Sequence, residues 1–250
     1  MFNIPKWSMV DNPLFYRNIK STKLLITVGD SWTYGDSLGN TRVRNGQDDL
    51  DYRINHIYGG LIANVLQSDW INLALPGISN SEVINWLDQL LLTVFNYHQI
   101  TCIITLTESG RHIEMNWQDQ NLNSLQHNLE CILDKTYIQI AQIQKKYPNI
   151  KFIIAHNFTD ARPSNLFICS KTWLEVMLDQ LIQNETHIVV SEHIKQLNYN
   201  YTYPDTLNVI DRAMERVKLL DLCIHCCKED TRHPTETGHK IWANYLITQI

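Results

Sequence analysis

The chain lacks the segments that would place it in a membrane or on a nucleic acid. None of its apolar runs approaches the roughly 18–20 residues that a transmembrane helix needs. Its start, Met1 to Trp7, has no long apolar core of the secretory-signal type, which predicts synthesis in a cytoplasm and leaves later release within a particle open. A net charge of −5 argues against a nucleic-acid-binding surface. The chain is therefore expected neither to span a bilayer nor to bind nucleic acid.

Internal repeats, low-complexity segments and glycine-rich phosphate loops are also missing. The six cysteines do not suggest a disulfide framework in a chain of 250 residues. Cys223-Ile224-His225-Cys226-Cys227 includes a Cys-x-x-Cys spacing, but a structural zinc site usually needs a second ligand pair, and none follows at a suitable spacing. The cluster is interpreted as a short strand or turn, and no metal is predicted.

What the sequence does contain is an α/β pattern that runs from end to end. With 250 residues and 44% hydrophobic content the chain can bury a sizeable core, and a single domain is predicted over residues 1–250. Residues 1–20 are expected to be irregular, and residues 39–57 to form a polar insertion loop. Strands are predicted at 24–28, 71–74, 100–106 and 151–155, and helices at 58–67, 80–94, 122–147, 173–183, 204–220 and after Thr235. The predicted inner face of helix 58–67 comprises Leu61, Ile62, Val65 and Leu66.

A candidate nucleophile follows the first predicted strand. Leu24 to Val28 is uncharged and suits a buried parallel strand, and it ends at Gly29-Asp30-Ser31. Because functional side chains gather at the carboxyl ends of strands in open parallel sheets, Ser31 stands where a reactive hydroxyl would be expected.

A candidate base and acid lie near the other end of the chain. Asp230 and His233 are three residues apart, so the carboxylate can accept from one ring nitrogen and leave the other free to act as base. His156 is a rival base, because it follows the strand at 151–155. No acid stands three residues before it, so His156 is interpreted as a buried, hydrogen-bonded histidine or a substrate contact.

Three blocks of sequence together resemble the SGNH (GDSL-type) hydrolase family. They are Gly29-Asp30-Ser31 with Thr33, Gly35 and Leu38, then residues 72–80 (NLALPGISN), then Asp230-x-x-His233-Pro234. The resemblance implies a three-layer α/β/α sandwich with a short parallel sheet of flavodoxin-like type, a serine esterase mechanism, and no metal or cofactor. It also implies that Ser31 is the nucleophile, His233 the base and Asp230 its acid, with the backbone N–H groups of Ser31 and Gly77 donating to the oxyanion.

One block departs from the family pattern. The family's oxyanion-hole asparagine has no clear counterpart after strand 100–106, where the chain reads Thr107-Glu108-Ser109-Gly110-Arg111. Thr107 or Ser109 could supply a hydroxyl donor and Arg111 a charged one, and the spacing does not choose among them. A catalytically impaired binding or structural module is therefore an alternative to an active enzyme.

The expected substrate is a small-molecule or polysaccharide ester. Its acyl group is expected to be small, an O-acetyl group, and to be attached to a carbohydrate. Trp32, Tyr34 and Trp117 could stack on sugar rings, although core positions explain them equally well. A lipid or thioester hydrolase is a further alternative, which predicts an apolar tunnel beside Ser31.

Other polar residues near the site have two interpretations each. Asn80 follows Gly77 closely and either caps the next helix or faces the substrate. Arg42, Arg44 and Arg53 in the polar insertion either contact an anionic or sugar substrate or belong to a solvated loop.

Overall fold

The structure is a computed structural model that describes residues 15–36, 38, 47–94, 96–107, 122–157, 169–183, 226–227 and 233–250. In chain order its elements are β1 (Phe15–Arg17), β2 (Lys23–Gly29), α1 (Ser31–Tyr34), α2 (Gln47–His56), α3 (Tyr58–Leu66), β3 (Asp69–Ala74), α4 (Asn80–Leu91), β4 (Gln99–Leu106), α5 (Leu122–Lys146), β5 (Lys151–His156), α6 (Trp173–Gln183) and α7 (Glu236–Ile247). No helix in these ranges is both long and apolar enough to cross a membrane.

The strands form one sheet in the order β1-β3-β2-β4-β5. Strands β2, β3, β4 and β5 run parallel, as their mainly apolar sequences predict, while β1 pairs antiparallel with β3 at the edge. From β2 the chain crosses to β3 on one side and then returns to β4 on the other side. The direction of winding therefore reverses between β2 and β4, and open α/β sheets bind their ligands in the crevice above such a reversal.

Helices cover both faces of the sheet. Leu25 and Ile153 on one face belong to the apolar cluster that includes α3, α6 and α7, and Ile26 and Ile154 on the other face pack with α4 and α5. The predicted three-layer α/β/α architecture with a short parallel sheet is thus confirmed.

Two segments differ from the sequence prediction. Phe15–Arg17 lies within the stretch expected to be irregular, yet it forms β1, because its backbone pairs with the exposed edge of β3. The expected insertion loop at 39–57 contains the helix α2. Tyr52 and Ile54 on this helix pack against the core, and that burial, which the polar composition of the segment conceals, stabilises it.

The buried face of α3 is also different from the predicted one. Val65, predicted to face inward, is 62% exposed, and the buried positions are Tyr58, Gly59, Gly60, Ile62 and Ala63. A side-chain carbon at Gly59 would overlap the Trp70 ring, so α3 uses its glycines to lie close against β3.

Side-chain hydroxyls cap the starts of two helices. The Ser79 hydroxyl and the Glu82 carboxylate form a capping box at the start of α4, and the Thr235 hydroxyl caps α7. The predicted helix at 204–220 and the aromatic Trp117 lie outside the described residues.

Candidate active site

Ser31 is the first residue of α1 and stands directly beyond the carboxyl end of β2. Asp30 caps this short helix, and its carboxylate accepts from the Trp32 N–H at 3.0 Å and from the Asn157 side-chain amide at 2.9 Å. The Asn72 amide donates to the Thr33 carbonyl at 3.0 Å. These contacts from β3 and the end of β5 fix the turn that carries Ser31, whose side chain is buried.

A second helix supports the same turn from outside the sheet. The buried Arg53 guanidinium of α2 donates to the Gly35 carbonyl and lies over the Tyr34 ring, 5.1 Å from its centroid. Gly35 ends α1 with a left-handed φ of 75°. The solvated-loop interpretation of Arg53 is therefore wrong, because its side chain is turned into the core to hold the end of the nucleophile turn.

Cys226 and Cys227 hold the two residues that follow His233. Cys227 and Pro234 form an isolated antiparallel bridge, and the Thr235 N–H donates to the Cys226 carbonyl at 2.7 Å. A side-chain carbon at Gly238 would overlap that same carbonyl oxygen, so glycine permits α7 to begin this close to Cys226.

The structure brings His233 to the turn that carries Ser31. Its Nε2 lies 3.8 Å from the Asp36 carboxylate, and the Asp36 N–H donates to the Ser31 carbonyl at 2.9 Å. The chain separates Ser31 and His233 by most of its length, so this meeting was predictable only from the motif. The predicted acid, Asp230, lies outside the described residues.

Strands β2, β3 and β4 end at the same edge of the sheet. In the register of the sheet Gly29 pairs with Ala74, and Val28 pairs with Ile104. Ser31 lies two residues beyond Gly29, Gly77 three beyond Ala74 and Thr107 three beyond Ile104. The candidates for the oxyanion hole thus follow β3 and β4, on either side of the strand that leads to the serine.

Gly77 and Thr107 differ in their exposure at this edge of the sheet. Gly77 is exposed with a left-handed φ of 78°, and a side-chain carbon built on it would meet no atom within 4 Å. Thr107 is buried and its backbone is held by Asn80, whose amide donates to the Thr107 carbonyl at 3.0 Å and accepts from the Thr107 N–H at 2.9 Å. Asn80 therefore holds the end of β4 instead of capping α4. Ser109, Arg111, Arg42 and Arg44 lie outside the described residues.

Two other candidate contacts are core residues in the structure. Trp32 is buried, and its ring meets Trp173 edge-on at 5.3 Å, so the core interpretation of Trp32 accounts for it. His156 is buried too, with its Nε2 2.9 Å from the Tyr137 hydroxyl. That is the buried, hydrogen-bonded histidine that the sequence left as one of two interpretations.

Sequence reasoning missed His239. This residue of α7 is completely buried, and its Nδ1 accepts from the Tyr58 N–H at 3.3 Å. Burial, with smaller contributions from the nearby Arg53 and His233, lowers the pKa of His239 to about 3. The available signal was its spacing, because His239 shares a helix face with the buried Trp242 and Leu246.

Stability at acidic pH should depend on His239. Since its pKa is lower in the folded than in the unfolded chain, its contribution is complete above about pH 6.5 and is lost as the pH falls towards 3. Between pH 7 and pH 5 the loss should be about 2 kcal/mol of unfolding free energy. Urea unfolding of His239→Gln should show a correspondingly smaller difference between the two pH values, whereas His98→Gln, at an exposed position, should behave as the parent does. Equal pH dependence in all three proteins would contradict this assignment.

Comparisons with known proteins give similarity at the level of structure only. No family model and no curated protein matches the sequence. A lipolytic protein of the G-D-S-L family from Desulfitobacterium hafniense is similar with a TM-score of 0.39 and 15% identity, covering 92% of this chain and all of its own. Phospholipase A1 from Streptomyces albidoflavus is similar with a TM-score of 0.45 and 18% identity, covering 91% and 99% of the two chains.

An acetyl xylan esterase from Geobacillus stearothermophilus is also similar, with a TM-score of 0.38, 15% identity, and coverage of 91% of this chain and 93% of the esterase. All three TM-scores are below 0.5, so the assignment of the site rests on its own residues and their geometry. In the described ranges, no group of three or more His, Cys, Asp or Glu side chains is arranged to hold a metal ion.

Proposed function

We propose that this chain is an SGNH-type serine esterase that removes a small acyl group, O-acetyl, from a carbohydrate. The observation that carries the proposal is the meeting of two motifs. Ser31 lies beyond the central strand beside the reversal of winding, and His233 approaches the turn that begins at this serine. A serine and a histidine at one edge of an α/β sheet are the parts that nucleophilic acyl transfer requires.

The reaction would proceed in two displacements. His233 takes the hydroxyl proton while Ser31 Oγ attacks the ester carbonyl carbon, and the resulting oxyanion accepts from the N–H groups of Ser31 and Gly77. Collapse of this intermediate releases the alcohol with the proton from His233 and leaves an acyl-serine. Water, deprotonated by the same histidine, then attacks the acyl group and releases the carboxylic acid. Asp230 would hold the imidazole in the required tautomer.

The charge beside the site supports a neutral ester as the substrate. The partly exposed Asp36 carboxylate lies next to His233, so an anionic group such as a phospholipid headgroup would meet like charge there. The polar sequence that follows Leu38 is compatible with a sugar alcohol as leaving group. The missing family asparagine supports a second candidate, a binding module that has lost catalysis.

A fluorophosphonate probe separates these candidates. Intact-mass analysis should show one adduct on the parent protein, none on Ser31→Ala, and labelling of His233→Ala slowed about 10²–10⁴-fold by loss of the general base. Ser170→Ala, which removes an exposed serine elsewhere, should label at the parental rate. A folded parent that forms no adduct would contradict the esterase and support the binding module. Faster hydrolysis of octanoyl than of acetyl p-nitrophenyl esters would instead support a lipid or thioester hydrolase.

A further inference from the structure

The reversal of winding makes the gap between β2 and β4 the most favourable place for a ligand on this sheet. Ser31 follows the first of these strands and Thr107 follows the second, each three residues beyond a paired position, Val28 and Ile104. They are also buried to the same degree, at 4% and 3% exposure. Thr107 therefore follows the strand that neighbours β2, on the opposite side of β2 from the strand that leads to Gly77.

The Thr107 hydroxyl has no hydrogen-bond partner in the part of the chain that the structure describes, although its oxygen is buried. Folded proteins seldom leave a buried hydroxyl in this condition, because the lost hydrogen bonds to water are not replaced. The other polar atoms of Thr107 are different, since its N–H and carbonyl are both paired with the Asn80 amide. Among the polar groups of Thr107, the hydroxyl is thus the one without a hydrogen bond to the described residues.

Its surroundings hold that hydroxyl in place. The two bonds from Asn80 fix the backbone of Thr107 to the start of α4, three residues after Gly77. A β-branched side chain has few χ1 rotamers, so fixing the backbone largely fixes the hydroxyl as well. A donor that needs no reorganisation is what stabilises charge developing in a transition state.

We propose that the Thr107 hydroxyl is the third oxyanion donor, in the place of the asparagine that the SGNH resemblance leads one to expect. The inference rests on the proposed esterase function. The Thr107 O–H donates to the carbonyl oxygen as it gains negative charge, and its proton stays on the threonine throughout. Because this donor is unpaired before the reaction, its hydrogen bond is gained on ligand binding and strengthens in the transition state, so it raises kcat more than it lowers KM.

Two substitutions at Thr107 test this role. Thr107→Val keeps the shape and removes the hydroxyl, and it should lower kcat for p-nitrophenyl acetate by about 10²–10³-fold with little change in KM. Thr107→Ser restores the hydroxyl and should retain at least a tenth of the parental kcat. Thr136→Val is the matched control, because it removes a buried threonine hydroxyl of α5 that is already bonded to the Ile132 carbonyl, and its kcat should equal that of the parent.

Unfolding in urea distinguishes catalysis from folding. Removing an unpaired buried hydroxyl costs no hydrogen bond, so the midpoint of Thr107→Val should be equal to or above that of the parent while its kcat falls. A kcat within threefold of the parent in Thr107→Val would overturn the inference, as would an equal loss in Thr107→Ser. If Ser109→Ala or Arg111→Ala lowers kcat by this amount and Thr107→Val does not, the donor is that residue. A parent that neither labels nor hydrolyses esters defeats the proposed function itself, which these variants do not test.

Discussion

Replacing Gly60 with alanine is expected to lower the free energy of unfolding by about 3 kcal/mol. A methyl carbon at this position of α3 would overlap the backbone carbonyl of Ile54, which belongs to α2. A side chain could rotate away, but a helical carbonyl cannot, so the two helices must separate. That separation would also move Arg53, which donates to the Gly35 carbonyl, and Tyr58, whose hydroxyl donates to that of Thr33 at 3.4 Å.

Gly77→Ala provides the control for this prediction. It too adds one methyl group to a glycine, but into open space, and its cost comes only from the left-handed φ of 78°. That conformation costs an alanine about 1–2 kcal/mol. Urea unfolding followed by tryptophan fluorescence should therefore rank the parent above Gly77→Ala and Gly77→Ala above Gly60→Ala. If Gly60→Ala is the more stable variant, α2 and α3 do not approach each other as closely as described.

Arg53→Met should have the second large effect, lowering the unfolding free energy by about 2–4 kcal/mol. The substitution keeps an apolar stem but removes the donor to the Gly35 carbonyl, and an unpaired buried carbonyl costs about 1–3 kcal/mol. The contact of the guanidinium with the Tyr34 ring is lost as well. Because Gly35 ends the helix that starts at Ser31, fluorophosphonate labelling should also slow at least tenfold.

Lys146→Met is the matched control for Arg53→Met, since it removes a cation whose partner, Asp88, is on the surface. Exposed ion pairs contribute little, so the stability and labelling rate of this variant should remain those of the parent. Parental labelling in a destabilised Arg53→Met would show that Arg53 supports the fold without positioning the serine.

The sequence predicted those parts of the fold that depend on local pattern. The parallel strands are short, mainly apolar runs, and the capping box of Ser79 and Glu82 is a local motif, so both could be recognised without knowledge of the tertiary structure. Ser31 and His233 belong to short motifs of the same kind. The family motif predicts that the two residues meet. No local pattern does so, because they are far apart in the chain.

The errors concern residues whose environment is created by distant partners. Arg53 lies in a polar stretch of sequence that is typical of a loop, and its burial depends on the Gly35 carbonyl in another segment. Val65 fits an apolar helix face, but the Trp70 ring draws α3 onto its glycine side instead. The spacing of His239 from Trp242 and Leu246 indicates a buried position, but its lowered pKa is caused by the surrounding core, which depends on residues distant in the chain.

The contact between Tyr58 and His239 has a consequence for the synthesis of this protein. It joins residues 181 positions apart, and α7 supplies Trp242 and Leu246 to the core that covers one face of the sheet. A ribosome makes the chain from its amino end, so β2 and Ser31 emerge long before His233 and the helix α7 that follows it. Until α7 has been made, the nascent chain therefore carries an uncovered apolar surface, and His233 cannot yet lie beside the turn that carries Ser31.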